Sequence, residues 1–237
     1  MNTGELRYLS QRLARDVIQH WEADGASEDS RSSDFQPVQA EQVELPAGEN
    51  PYQLAEQAKR IVLTQDQAGE LAYTGEEIKP YLLIPQARVR LWVFRPTGST
   101  RGTFALASVR RDPYMAVLLG SPKNVTGWNT LQEIDGWIPS DPAGLRDVVK
   151  KLKEDAEQED LENLSWSQTI DDAASFAVNI TRTPDFDGVA EVLARIYASE
   201  DNLQAIVTTG PPITAYTFTR VLVGAPVFIR EPSGPSA

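Results

Sequence analysis

The sequence runs to 237 residues and carries 22 Lys and Arg against 34 Asp and Glu, a formal net charge of −12, with no cysteine and one histidine, His20. The absence of cysteine removes disulfide frameworks, thiolate metal sites and cysteine nucleophiles. A single histidine removes paired-histidine metal motifs and obliges any Ser-His-Asp triad to use His20.

No stretch approaches the roughly 20 apolar residues of a membrane-spanning helix, and Met1 to Tyr8 lacks the apolar core of a signal peptide. The expectation is a soluble, cytoplasmic protein with no membrane association. The acidic balance repels phosphate backbones at long range and disfavours nucleic acid as a partner. The densest basic stretches, Arg88-Val89-Arg90 and Arg110-Arg111, are short and lie in or beside apolar runs.

Glu5 to Leu9 reads as an extended segment leading into a helix. Ser10 suits the N-cap, and Leu13, Val17, Ile18 and Trp21 share one face. From Glu22 to Asp34 hardly any side chain is apolar, too few to offset ordering entropy, which predicts a mobile acidic loop over residues 22–34. Phe35 to Leu45 alternates weakly and predicts a modest strand. Asn50-Pro51-Tyr52-Gln53 then opens a second helix, with Asn50 as cap, Pro51 in the first turn and Gln53 reaching back as in a capping box.

Tyr81 to Ile84, Arg88 to Phe94, Thr103 to Val109 and Tyr114 to Leu119 are β-rich, and Pro96 to Thr100 reads as a hairpin loop between antiparallel neighbours. Asp141-Pro142 begins the clearest helix, with Leu145, Val148, Val149, Leu152 and Ala156 at helical spacing. Further helices are predicted over Ile170 to Val178 and over Val189 to Ala198. The second rests on Val189, Val192, Leu193, Ile196 and Tyr197 sharing a face. Leu203 to Thr208, Ile213 to Val223 and Pro226 to Ile229 read as strands, and residues 231–237 as a solvated tail.

A helical interval between two strand-rich ones predicts a single α+β domain over residues 1–230, its last strands returning to the earlier sheet. That sheet is expected to be mixed and mainly antiparallel, packed by three to five amphipathic helices. Two domains divided near Ser140 form the alternative.

The most suggestive site is the loop Leu119-Gly120-Ser121-Pro122-Lys123-Asn124-Val125-Thr126-Gly127-Trp128, after the apolar run Met115 to Leu119. Freed backbone N–H groups with Ser121, Lys123, Asn124 and Thr126 would hold an anion, and Arg110 or Arg111 would add charge. Its spacing matches neither phosphate-loop pattern, and the plainer reading is a turn with a solvated lysine. His20 reads as a partly buried imidazole. Asp171-Asp172 is expected in the first turn of a helix and Asp185-Phe186-Asp187-Gly188 as a helix cap, its spacing being wrong for a calcium loop. Trp92, Phe94, Phe104, Tyr216 and Phe218 read as core unless several share an exposed face, which would mark a partner surface. No metal or cofactor is called for.

Tyr8-Leu9-Ser10, Leu119 to Gly127 and Val223-Gly224-Ala225-Pro226-Val227-Phe228-Ile229 together resemble an uncharacterised family of bacterial, largely actinobacterial, proteins. That family opens with a Tyr-Leu-Ser strand, has a Gly-Ser turn before Val-x-Gly, and ends on a Gly-small-Pro-aromatic strand. The resemblance implies a bacterial cytoplasmic protein of unassigned activity and carries over no site residue. Two functional expectations stand: a non-catalytic module that binds a protein or small ligand, or an enzyme or sensor for a phosphorylated or anionic small molecule at the Gly-Ser-Pro-Lys-Asn loop.

Overall fold

The computed structural model describes residues 4–24, 50–66, 68–69, 79–94, 103–127, 142–154, 165–207 and 214–232. The side chains of His20 and Trp21, the acidic stretch 25–34, the expected strand at 35–45, the loop at 96–100, Asp141 and residues 233–237 lie outside the described residues. In chain order the elements are β1 (Leu6–Leu9), α1 (Gln11–Asp24), α2 (Pro51–Thr64), β2 (Ala68–Gly69), β3 (Tyr81–Phe94), β4 (Phe104–Arg111), β5 (Tyr114–Gly120), α3 (Pro142–Glu154), α4 (Trp166–Asn179), β6 (Phe186–Val207) and β7 (Thr214–Arg230).

Helix starts follow local chemistry. Ser10 Oγ accepts the Leu13 N–H at 3.4 Å, and α1 then runs through Glu22 to Asp24, residues expected to begin the acidic loop. Asn50 Oδ1 accepts the Tyr52 N–H at 2.9 Å, a cap without the reciprocal Gln53 contact. Ser165 and Gln168 form a complete capping box, so α4 begins at Trp166, ahead of the expected Ile170. Asp171 and Asp172 therefore sit beyond its first turn.

The seven strands join one sheet. β3–β4 and β4–β5 are antiparallel neighbours, β5–β7 is parallel, and β7–β6 and β6–β3 are antiparallel. The pairings run β3–β4–β5–β7–β6 and return to β3, so five strands close a ring. Strands from both sides of the helical interval pair directly. β1 lies along β7 beyond the end of β5, and β2 adds parallel to the start of β3. Closure satisfies the backbone groups that an open sheet would leave at its edges.

A ring of five strands leaves a narrow interior that side chains must fill. One apolar cluster draws on all five: Val89 and Leu91, Ala105 and Ala107, Ala116 and Leu118, Ala190 and Val192, and Leu222. Large residues face small ones across the register. Leu91 opposes Ala107, Ala107 opposes Leu118, and Leu118 opposes Gly224. The alternate residues of β4, β5 and β7, including Leu106, Val117 and Val223, point outward into a second core under α3 and α4. A third core packs α1 and α2 on Leu83, Leu193, Val227 and Phe228. Lys59 and Arg230 both bond Glu191, and Arg230 also bonds Glu56, tying α2 to β6 and β7. Burial opposes the Arg230 charge, yet the bonds to Glu191 and Glu56 hold its pKa above the ordinary value.

The largest departure from expectation is Val189 to Ala198, which is strand. Its residues satisfy both periods: the helical face exists, but Ala190, Val192 and Ala194 also alternate, and they fill the lumen while β6 pairs β3 on one edge and β7 on the other. The expected runs Tyr81 to Ile84 and Arg88 to Phe94 are one strand, β3, with a register shift between Ile84 and Ala87 where Pro85 falls. β7 likewise runs unbroken through Gly224-Ala225-Pro226. A Cβ on Gly224 would lie 2.0 Å from the Arg195 carbonyl oxygen, so glycine here serves close backbone approach and does not mark a turn.

Gly224→Ala is expected to cost about 2–3 kcal/mol, because the clash is with backbone and the ring cannot open locally. Gly69→Ala, whose Cβ would meet Lys79 Cβ at an ordinary 3.5 Å, should stay within about 1 kcal/mol of wild type. Urea denaturation midpoints measure both.

Candidate functional site

The loop after β5 is built into the barrel's end. Pro122–Asn124 form a single 3-10 turn, and Pro122 is buried. Asn124 Nδ2 donates to Tyr8 Oη at 3.0 Å, the Thr126 N–H donates to the Arg7 carbonyl at 3.0 Å, and Tyr8 bridges Val125 as an antiparallel pair. Tyr8 is fully buried within the lumen cluster, and a Cβ on Gly120 would lie 2.3 Å from its hydroxyl. On the other side of β1, the Ser10 N–H donates to the Val227 carbonyl at 2.8 Å. Tyr8-Leu9-Ser10, the Gly-Ser-Pro-Lys-Asn turn and the Val223–Ile229 stretch thus meet in one place. Their shared role is to seat Tyr8 in the barrel.

Of the six expected ligand residues, Asn124 and the Thr126 backbone are committed to this clasp, Ser121 is half-buried and Lys123 is exposed. Arg110 and Arg111 lie at the other end of the β4–β5 hairpin, where Arg110 opposes Met115 while Gly120 opposes Ala105. Five residues of strand separate Met115 from Gly120, roughly 17 Å. The loop and the arginines therefore do not form one site. Arg111 is exposed beside the turn at Asp112-Pro113.

The register creates a different constellation. Arg88 on β3 lies directly opposite Arg110 on β4, and Arg90 lies opposite Ser108. Alternation places Val89, Leu91, Ala107 and Val109 in the lumen, so Arg88, Arg90, Ser108 and Arg110 share the outer face. The two basic dipeptides of the sequence become neighbours across one hairpin. Like charges directly opposed repel, and the side chains diverge. Arg88 and Arg90 both turn to Asp187 on β6, with bonds of 3.2–3.3 Å. The hydrogen bond from Arg88 holds the Asp187 carboxyl below its ordinary range, with the charges of Arg88 and Arg90 adding to it.

Arg110 turns the other way. Its Cζ lies 4.6 Å from the Tyr216 ring centroid and 5.3 Å from that of Phe218, both on β7. The two rings are near-parallel, 6.2 Å apart. Arg110 Nε and Nη2 are buried and find no hydrogen-bond acceptor among the described residues, a costly arrangement for charged donors. Phe218 is core as expected, whereas Tyr216 keeps 39% of its surface exposed.

The remaining acidic candidates are structural. Asp185 Oδ2 accepts the Val93 N–H at 2.7 Å, and its own N–H donates to the Leu91 carbonyl at 2.8 Å. With Asp187 held by arginine, the Asp185–Gly188 segment leads into a strand and caps no helix. Glu231, expected in the solvated tail, accepts from Arg7 at 2.7 Å. Asp201 pairs with the buried Arg220, whose hydrogen bond holds the Asp201 carboxyl below its ordinary range. Among the described residues no group of three or more His, Cys, Asp or Glu could hold a metal ion. The large hydrophobics that stand exposed there, Leu63, Val189 and Tyr216, sit singly on α2, β6 and β7.

Tyr8→Phe removes the acceptor of Asn124 and should cost about 1–2 kcal/mol in urea unfolding. Asp201 sets an acid-side dependence. With a folded pKa below the unfolded one, its contribution is complete above about pH 4 and disappears as pH falls through the lower folded value. Asp201→Asn should therefore lower stability at pH 7 and flatten the loss measured as pH falls below about 4.

The chain matches no protein-family model, no curated protein and no solved structure.

Proposed function

We propose that the chain is a non-catalytic binding module whose ligand carries an anionic group, received on the outer barrel face by Arg88, Arg90 and Arg110. The observation that carries this reading is the register that sets Arg88 against Arg110 and Arg90 against Ser108. Three guanidinium groups share that face, and the hydrogen bonds described give two of them a carboxylate, Asp187. A local excess of positive charge on a chain of net charge −12 attracts anions and gives them a preferred landing place. Arg110 Nε and Nη2 are buried without an acceptor among the described residues, so an anion would gain their bonds by drawing the side chain out from over the Tyr216 and Phe218 rings.

This reading moves the anion away from the Gly-Ser-Pro-Lys-Asn loop, whose Asn124 and backbone serve Tyr8. Resemblance to the uncharacterised bacterial family, and the cytoplasmic setting it implies, belong to the same proposal. In support, the three stretches that carry the resemblance pack together around β1.

Isothermal titration with pyrophosphate at low salt tests the site. Wild type should bind, and Arg88→Ala combined with Arg110→Ala should weaken binding about tenfold or more. Lys123→Ala should leave it unchanged. Because Arg88 and Arg90 are exposed, 0.5 M salt should weaken binding markedly, at a Debye length of about 4–5 Å. Pyrophosphate affinity equal in wild type and the double variant would falsify the reading.

A further inference from the structure

We infer that Arg110 is a movable arm with two places, over the Tyr216 and Phe218 rings and beside Arg88, and that Tyr216 lowers anion affinity by holding the arm in the first. The inference rests on the anion-binding reading and adds the residue that sets its strength.

The place over the rings is a compromise. The guanidinium gains attraction from both π faces, with Cζ 4.6 Å from the Tyr216 centroid and 5.3 Å from that of Phe218. It also leaves Nε and Nη2 buried without an acceptor among the described residues. The attraction and the cost of unmet charged donors are of similar size. A side chain held by two effects that nearly cancel is released by a modest gain elsewhere.

The second place is one strand away. Arg110 lies directly opposite Arg88, and paired strands stand about 4.8 Å apart. A change among staggered rotamers carries a long side chain that far. Arg88 and Arg90 are 62% and 41% exposed while bonded to Asp187, so an anion reaches them from solvent. Asp187 stands on β6, on the far side of β3 from Arg110, and cannot serve it. Like charge keeps Arg110 away from Arg88. An anion at Arg88 reverses that repulsion and supplies the acceptor that the Arg110 donors lack over the rings.

Affinity then depends on the fraction of chains whose arm is free to leave the rings. Tyr216 governs that fraction without touching the anion. It is also the ring that can be altered safely. β5 pairs with β7 only from Arg220 onward, so Tyr216 lies on the β6–β7 ribbon beyond the closed barrel, whereas Phe218 is buried core.

Titration of the full chain with pyrophosphate tests the arm through a double-variant cycle. Tyr216→Thr removes the ring and keeps a residue suited to strands. It should tighten binding about threefold or more, a gain that an unfolded chain could not show. Tyr216→Phe should bind as wild type does. Arg110→Ala should weaken binding severalfold, and adding Tyr216→Thr to it should change nothing further. Unaltered or weaker binding by folded Tyr216→Thr would overturn the arm, as would an equal gain in the Arg110→Ala background. Either result leaves the anion face standing when wild type binds. Absence of binding in every form would overturn both readings. A second measurement needs no ring variant. The NMR signal of the Arg110 Nε–H group, identified by its loss in Arg110→Ala, should shift as pyrophosphate saturates wild type. A signal that stays in place at saturation would overturn the arm.

Discussion

Closure of five strands into a ring is the constraint on which the rest of this molecule depends. A ring that small has a lumen too narrow for a row of leucines, so each inward position trades size with the one beside it. Leu91, Ala107, Leu118 and Gly224 follow one another around the barrel as large, small, large and none. The alanines at 105, 107, 116, 190 and 194 are therefore fitted side chains. A larger residue at any of them would have to displace a neighbouring strand, and that strand is held on both edges.

The same constraint governs what a sequence reader can see. Local signals were legible: Ser10, the Asn50-Pro51 pair and the β-rich interval from Tyr81 to Leu119 all gave the element type correctly, because caps, turns and alternation act over a few residues. Val189 to Ala198 reads as a helix because alanine at every other inward place gives β6 a helical face with a generous polar side. What decides its state is pairing with β3 and β7, far away in sequence. Gly224-Ala225-Pro226 separates the expected strands Ile213 to Val223 and Pro226 to Ile229 for a related reason. Glycine and proline ordinarily punctuate, but here glycine admits a neighbouring backbone and the strand continues.

The candidate site shows the same division. Arg88, Arg90 and Arg110 were visible as short basic runs, and nothing local distinguished them from solvated charge. Register is what makes them neighbours, and it is a property of the β3–β4 hairpin and not of either run alone. Conversely, the Gly-Ser-Pro-Lys-Asn loop looked functional because its residue types suit anions. Its asparagine and glycine prove to be shaped by Tyr8, which enters the lumen from a strand more than a hundred residues earlier. No spacing rule links position 8 to position 124.

Placement of the three arginines on an outer barrel face has an energetic logic of its own. Helices α1 and α2 cover one side of the barrel and α3 and α4 another, each over an apolar core. Between them β3 and β6 turn polar, with Arg88, Arg90 and Asp187 outward. Arg110 lies at the boundary, close enough to the α3–α4 core to rest on Phe218 and close enough to Arg88 to be repelled by it. An arginine placed there by packing alone would be better replaced by a leucine, which would cover Phe218 without burying charged donors. Retaining the guanidinium makes physical sense where an acceptor arrives from outside and draws Arg110 off the rings, which would expose its donors and relieve the cost of burying them.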